Sequence, residues 1–240
     1  MKIPAMADSV PTPPSLRGIS SMATRQLLAA LTRSWQDRSG QAVAIESVGG
    51  VDAAKRVQAG EAFDLVVLAS DAIDKLMAAG CLEPGSRVDL VRSGTSVAVP
   101  AGAPWPDISH EDAVRAAVLA APTLGYSTGP SGVALAKLFE RWGIAEQVQA
   151  RIVTPPPGTP VGALIARGEV ALGFQQLSEL IHVPGLDIVG PLPPAIAIDT
   201  VFAAAVCKDT AHAADVRALL AFMASPETAP AKHEQGMQAL

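Results

Sequence analysis

The strictest constraint on the fold is the regular alternation of apolar runs with amphipathic helical patterns along most of the chain. Residues 63–69 (FDLVVLA) form a near-continuous apolar run, which predicts a strand that is buried on both faces. A helical pattern that closes at Gly60 precedes this run, and another that ends near Gly80 follows it. Strand candidates alternating in this way with helices predict an α/β fold with mainly parallel sheets flanked by helices.

Two such α/β units follow one another, and this predicts two lobes with a cleft between them. Apolar strands near residues 95–100 and 197–206 are expected to cross between the units. Residues 184–194 contain several Pro and Gly residues and predict a loop. The predicted division is an extended leader at 1–14, a first lobe of 15–96 with 201–240, and a second lobe of 97–200.

Composition excludes several classes of function. The chain has 18 lysines and arginines against 23 aspartates and glutamates, and its scattered basic residues form no stripe that could follow a nucleic-acid backbone. No apolar run approaches the roughly 18 residues that a membrane-spanning helix needs. The four histidines lack the spacing of a metal site, and Gly49-Gly50 lacks the rest of a dinucleotide fingerprint, so no metal and no cofactor are expected.

The first residues bear on the expected compartment. Met1–Ser15 has no apolar core of the kind that a secretory signal requires. The sequence as written therefore predicts a cytoplasmic protein, and a periplasmic one if a signal has been removed.

Four predicted strand-to-helix turns are built from small or hydroxyl residues. The first residues of a helix have free backbone N–H groups and a partial positive charge, and small side chains let a ligand reach them. In a parallel sheet such turns share the carboxyl edge, so we expect them to face one cleft that binds a small anion, the alternative being ordinary helix caps. The turns are residues 20–22 (SSM), 48–51 (VGGV), 129–132 (GPSG) and 158–161 (GTPV).

From Leu16 onward, the order of motifs resembles the molybdate-binding family of periplasmic solute-binding proteins. The most specific stretches are ISSMAT, AKRVQAGEAFDLVVLASDAIDKLMAAG, GPSGVALAKLFERWG and PVGALIARGEVALGF. The resemblance implies a two-lobed type II fold, an anionic ligand and, for an exported protein, an ABC permease as partner. The ligand contacts that it implies fall on Ser21, Gly49, Gly50, Ser131, Pro160 and Gln176.

Three positions depart from the family pattern and favour a larger anion than molybdate. The family has a pair of serines where this chain has Gly49 and Gly50, and a tyrosine where it has Gln176. A di- or tricarboxylate fits the added room, and Arg25 and Arg92 are candidates to grip its carboxylates. Strand alternation predicts that only one of the two adjacent glutamines lines the site. The full predicted ligand-binding set is Ser20, Ser21, Arg25, Gly49, Gly50, Arg92, Ser127, Ser131, Thr159, Pro160, Gln175 and Gln176.

One branch of the family resembles an isomerase that shifts the double bond of aconitate. That reaction is a 1,3-proton transfer, and it needs carboxylate anchors and one group that takes and returns a proton. The candidates are Tyr126, His182 and Glu179, of which Tyr126 and His182 are the predicted catalytic residues. Binding of a small oxyanion or polycarboxylate is the first interpretation, and the isomerase is its alternative.

A second alternative is a serine esterase, because residues 125–129 (GYSTG) fit the G-x-S-x-G pattern of a nucleophile elbow. Pro130 follows the motif directly and no glycine-rich oxyanion loop precedes it, which weakens this interpretation. The residues it would use are Ser127 as nucleophile, His182 or His212 as base, and Asp187 or Asp199 as the acid.

Overall fold

The computed structural model describes residues 15–156 and 158–240, and the predicted leader at 1–14 lies outside the described residues. The strands in chain order are β1 (Leu16–Ser21), β2 (Val43–Val48), β3 (Leu65–Ala69), β4 (Val88–Pro100), β5 (Leu124–Tyr126), β6 (Ile152–Val153), β7 (Leu172–Gln176), β8 (Leu186–Pro191), β9 (Asp199–Val206) and β10 (Met237–Ala239). The helices are α1 (Arg25–Ser39), α2 (Gly50–Gln58), α3 (Ser70–Ala78), α4 (Glu111–Ala120), α5 (Pro130–Arg141), α6 (Ala145–Gln149), α7 (Val161–Ala166), α8 (Leu177–Leu180), α9 (Ala213–Ala224) and α10 (Ala229–Glu234). This alternation confirms the predicted α/β fold.

The described strands form one continuous sheet with two parallel parts. Its order is β2-β1-β3-β9-β4-β7-β5-β6, and β8 and β10 each pair with β4. Strand β1 pairs in parallel with β2 and β3, and β5 pairs in parallel with β6 and β7. The pairings made by β4 and β9 are antiparallel. Each parallel part is therefore joined to the other through the antiparallel strand β4.

The long strand β4 belongs to both parts of the sheet. Between Val88 and Gly94 it pairs with β9, and from Thr95 onward it pairs with β7 and β8. The change of partner falls between Gly94 and Thr95, next to the predicted lobe boundary at residues 96 and 97. The exact lobe boundaries stay a prediction.

Helices cover both faces of the first part of the sheet. Alternate residues of β3 face two different core clusters: Leu65 and Val67 pack with α1 and α9, whereas Val66 and Leu68 pack with α2 and α3. All five residues of β3 are buried. The near-continuous apolar run was therefore correctly interpreted as a strand covered on both sides.

Two strands form where local sequence gives little strand signal. Residues 184–194 were expected to be a loop, but Leu186–Pro191 is strand β8, paired with the second half of β4. Strand β4 itself begins at Val88, ahead of the expected start at Thr95. Both differences have one cause, because pairing to a neighbouring strand satisfies backbone N–H and C=O groups and outweighs weak local preference.

Gly132, in the first turn of α5, closely approaches the turn that precedes this helix. A Cβ atom at Gly132 would lie 1.6 Å from the carbonyl oxygen of Ser127, so the turn before α5 tolerates no side chain there. We expect Gly132→Ala to destabilise the protein by about 1–3 kcal/mol through overpacking, as measured by urea unfolding.

Gly50→Ala is the matched control, because Gly50 also lies in a first helical turn and its Cβ would make an ordinary contact of 3.6 Å with Ser21 Cβ. Its expected effect is within about 0.5 kcal/mol. Equal free energies of unfolding for the two variants would contradict the tight approach at Gly132.

Candidate functional site

The first two turns lie side by side at the ends of β1 and β2. The hydroxyls of Ser20 and Ser47 are 2.8 Å apart, and a Cβ at Gly50 would lie 3.6 Å from Ser21 Cβ. Ser21 is 8% exposed, and its hydroxyl has no hydrogen-bond partner among the described residues. Gly49 is the residue that precedes α2. This corner of the first lobe thus offers small residues and one buried, unpaired hydroxyl.

The third and fourth turns lie together in the second lobe. The hydroxyls of Ser127 and Ser131 are 3.2 Å apart across the start of α5. A Cβ at Gly125 would lie 3.1 Å from a methyl carbon of Val161, the first residue of α7, so β5 and α7 are in close contact. The half-buried Thr159 and Pro160 lead directly into α7.

Residues 175–178, here called the bridging segment, connect turns of both lobes. The side-chain oxygen of Gln175 accepts a hydrogen bond of 2.8 Å from the backbone N–H of Gly162, next to the fourth turn. The hydroxyl of Ser178 donates a hydrogen bond of 2.9 Å to the carbonyl oxygen of Ala23, next to the first turn. The end of β7 therefore brings the helix starts of the two lobes together around one region.

Four small or amide side chains on neighbouring strands form a surface that we call the polar floor: Ser93, Thr95, Gln176 and Thr200. Thr95 lies opposite Gln176 and Ser93 lies opposite Thr200 in the antiparallel ladders, so all four project from one face of the sheet. The amide nitrogen of Gln176 donates a hydrogen bond of 2.8 Å to the Thr200 hydroxyl.

Three of the four floor residues have a buried side-chain oxygen with no hydrogen-bond partner among the described residues. The hydroxyls of Ser93 and Thr95 and the side-chain oxygen of Gln176 have no hydrogen-bond partner in the described part of the chain. A buried, unpaired polar atom costs about 1–3 kcal/mol, and buried polar atoms in native proteins are nearly always paired. The floor is therefore suited to an occupant that supplies hydrogen bonds.

Of the four floor residues, only Gln176 belongs to the ligand-binding set predicted from the sequence. The available signal was the segment RSGTS (92–96) in β4, where small polar residues alternate within an otherwise apolar strand. Alternation places Ser93 and Thr95 on one face, and only the pairing with β7 and β9 shows what they meet.

Glu179 is the titratable group best tuned for proton transfer near this region. Burial raises the pKa of its carboxyl to about 7, and a hydrogen bond from the Gln175 side chain opposes that rise. Gln175 also accepts a hydrogen bond from the backbone N–H of Gly162 in α7, and Glu179 follows the bridging segment directly in α8. A carboxyl that titrates near neutral pH can both accept and return a proton.

The two predicted catalytic residues have less suitable surroundings. Tyr126 is half-buried with its ring 5.9 Å from that of Phe139, and burial raises the pKa of its phenol, so it ionises less readily. His182 is exposed, and its Nε2 is 2.8 Å from the side-chain oxygen of Gln235. Their catalytic roles stay predictions, with Glu179 the better-placed candidate.

The two arginines predicted to grip carboxylates are both exposed. Arg25 lines a surface groove of about 420 Å³ between α1 and β2, together with Arg33 and Ser47. Arg92 adjoins Ser93 in β4 and therefore points to the opposite face from the polar floor. Their roles as ligand contacts stay predictions.

The arrangement needed by a serine esterase is not formed among the residues that the structure describes. The Ser127 hydroxyl contacts Ser131, and no hydrogen bond joins it to a histidine in that part of the chain. His182 contacts Gln235. Since a serine nucleophile needs a neighbouring base, this geometry gives the esterase no support.

Residues 15–156 and 158–240 contain neither a metal-binding cluster nor a membrane-spanning helix. Within those ranges, no group of three or more His, Cys, Asp or Glu side chains is placed to hold a metal ion. No helix there is both long enough and apolar enough to cross a bilayer.

Comparison with known proteins decides the family. Residues 16–238 match the family of bacterial extracellular solute-binding proteins. The chain belongs to this family. It is also similar to an aconitate isomerase from Pseudomonas sp, with 41% identity over 186 residues that cover 76% of this chain and 70% of that protein.

Solved structures show the same fold at low sequence identity. The periplasmic molybdate-binding protein of Azotobacter vinelandii superposes with a TM-score of 0.78 and 22% identity, covering 93% of this chain and 98% of that one. The sulfate-binding protein SubI of Mycobacterium tuberculosis superposes with a TM-score of 0.76 and 16% identity, covering 94% and 87% of the two chains. The predicted type II, two-lobed fold of this solute-binding protein is confirmed.

The unusual carboxyl of Glu179 gives a stability prediction. Its pKa of about 7 in the folded state lies above the roughly 4.3 of an unfolded chain, so the folded state holds more protons between these values. Stability from this group is present below about pH 4.3 and is lost as the pH rises towards 7. We expect Glu179→Gln to abolish this loss, so the variant should gain on the order of 2–3 kcal/mol over wild type between pH 5 and pH 8.

Urea unfolding at several pH values measures this difference. Glu140→Gln, which changes an exposed glutamate on α5, is the control and should follow the wild-type profile. A Glu179→Gln profile parallel to that of wild type would show that the carboxyl is not perturbed.

Proposed function

We propose that this protein is an isomerase that moves the carbon–carbon double bond of an aconitate-type tricarboxylate. The observation that carries the proposal is the 41% identity to an aconitate isomerase over 186 residues. The buried, unpaired hydroxyls of Ser21, Ser93 and Thr95 support it, because each can donate a hydrogen bond to a carboxylate oxygen.

The substrate lies between the lobes in this proposal. One carboxylate meets the Ser21 hydroxyl near the start of α1, and another meets the hydroxyls of the polar floor. The backbone N–H groups of the short 3-10 helix Met22–Thr24, which precedes α1, and those at the start of α5 add favourable dipoles for a multiply charged anion. Holding the substrate at both ends fixes the methylene carbon and the double bond between the two anchors, which is the role of positioning in catalysis.

Glu179 is the proposed acid–base residue. Its carboxylate removes a proton from the methylene carbon next to the double bond, and the electrons of the broken C–H bond spread over the three-carbon unit. The same carboxyl then returns the proton to the other end of that unit, so the double bond moves and no atom is gained or lost. A pKa of about 7 leaves comparable amounts of both protonation states at neutral pH.

The test is incubation of the purified protein with trans-aconitate in D2O, followed by NMR and ultraviolet absorbance. We expect cis-aconitate to form. Because one carboxyl removes and returns the proton, the newly protonated carbon should keep part of the substrate's own hydrogen, and deuterium should enter only in turnovers where the carboxyl exchanges with D2O first. Glu179→Gln should lower kcat by about 10²–10⁴-fold, because it removes the general base while keeping a similar shape. Glu140→Gln should keep the wild-type kcat.

Two outcomes would contradict different parts of this proposal. A folded wild-type protein that binds the saturated analogue tricarballylate but converts no aconitate is not this isomerase. A Glu179→Gln variant with unchanged kcat would leave the isomerase in place and remove Glu179 from its mechanism.

Binding without chemistry is the second candidate, and membership of the solute-binding family favours it. The buried, unpaired Ser21 hydroxyl lies in the turn where the resemblance to molybdate-binding proteins implies an oxyanion contact. A periplasmic location and an ABC permease partner belong to this candidate. Thermal unfolding with molybdate, sulfate and tricarballylate tests it: a ligand-induced rise in Tm without turnover of aconitate supports binding alone.

A further inference from the structure

Lys232, in α10, is a buried lysine that has no hydrogen-bond partner among the described residues. Its side chain is 0% exposed, and its Nζ makes no hydrogen bond to any described residue. Burying an unpaired ammonium group costs several kcal/mol, so native proteins pair such charges or suppress them. Burial indeed lowers the pKa of this amine. A fully buried lysine with no counter-charge therefore needs a reason in the function of the protein.

The position of α10 relates this lysine to the polar floor. Helix α10 packs against α1 and against β10, and Met237 of β10 pairs with Ser93 of β4. Ala231, the neighbour of Lys232, packs on the same core cluster as Met237 and Val91. Helix α10 thus covers the face of the sheet from which the polar floor projects.

The residues that follow α10 contact the second lobe. A Cβ at Gly236 would lie 2.7 Å from Leu177, the first residue of α8. The side chain of Gln235 meets His182 at 2.8 Å. The end of α10 therefore contacts the segment that directly follows β7, and Lys232 lies between contacts made to both lobes.

Four of the five buried, unpaired side-chain atoms in the described chain belong to Lys232 and to the polar floor. We propose that Lys232 is the counter-charge for one carboxylate of the ligand, which it holds against Ser93 and Thr95. In that arrangement the ammonium and both hydroxyls donate to the carboxylate, and the side-chain oxygen of Gln176 accepts from the ammonium. Each of the four unpaired atoms then has a partner.

This inference rests on the proposed polycarboxylate ligand, and it names Lys232 as the group that recognises the negative charge of that ligand. A buried cation that is paired only when an anion is bound favours polycarboxylates over neutral molecules of the same shape, because the neutral molecule leaves the charge unpaired. Exposed arginines give less selectivity, since water already solvates them.

Isothermal titration with tricarballylate, which has no double bond to move, tests the role of Lys232 separately from turnover. Lys232→Met should raise Kd by about 30-fold or more, the effect expected when one partner of a buried charge pair is removed. Lys208→Met is the control, because Lys208 is exposed, and it should change Kd by less than about twofold. The Tm of ligand-free Lys232→Met should equal or exceed that of wild type, since a costly buried charge is gone.

Lys232→Gln provides a second uncharged variant if the methionine variant does not fold, and it should lose affinity in the same way. In wild-type protein, tricarballylate should also shift the ¹⁵Nζ resonance of a lysine. Wild-type affinity in a folded Lys232 variant, an equal loss in Lys208→Met, or no binding of tricarballylate to wild type would overturn the inference.

These measurements separate a failure of the Lys232 proposal from a failure of the isomerase proposal. Binding that depends on Lys232 without conversion of aconitate supports this site and removes the isomerase. Conversion of aconitate with unchanged KM in Lys232→Met supports the isomerase and overturns the role of Lys232.

Discussion

The strand β4 is the constraint on which the remaining architecture depends. Its first half pairs with β9 and β10, and its second half pairs with β7 and β8, so a single strand serves both lobes. Because side chains alternate along a strand, Ser93 and Thr95 project from one face on either side of the change of partner. The same register that joins the lobes therefore creates the polar floor between them.

Charged side chains at the surface form ion pairs, whereas the candidate site contains buried polar groups that have no partner among the described residues. Ion pairs such as those of Arg56 with Glu46 and Glu61 lie at the surface, where such pairs add little stability. Among residues 15–156 and 158–240, the buried side-chain atoms without a partner belong to hydroxyls, one amide oxygen and one lysine. Since an unpaired buried group is costly, an anion that pairs several of them at once would gain free energy from all of them.

The sequence was sufficient for those features that local pattern controls. The apolar run of β3 predicted a strand buried on both faces, and three small-residue turns correctly marked the starts of α2, α5 and α7. The first turn leads into the short 3-10 helix Met22–Thr24, and α1 begins after it at Arg25. Features that depend on distant partners were not predictable in this way. Strand β8 forms because β4 offers it an edge, and residues 184–194 contain no signal for that edge.

The same limit applies within the candidate site. Lys232 lies in a polar stretch, APAKHEQ, which predicts a solvated helix face, and only the packing of α10 against α1 and β10 buries it. The raised pKa of Glu179 likewise comes from surrounding protein and not from neighbouring charges in the sequence. Arg25 and Arg92 were predicted from their charge and from their places near the first helix start and the crossover strand, but only the packing of α1 and β4 shows that both side chains are exposed.

A crystal structure with tricarballylate is the most direct test of a polycarboxylate site between the lobes. We expect density for the ligand between the first turn and the polar floor, with one carboxylate within hydrogen-bond distance of Ser21 and another near Ser93, Thr95 and Lys232. Density confined to the groove beside Arg25 and Arg33, with the polar floor unchanged, would contradict this site.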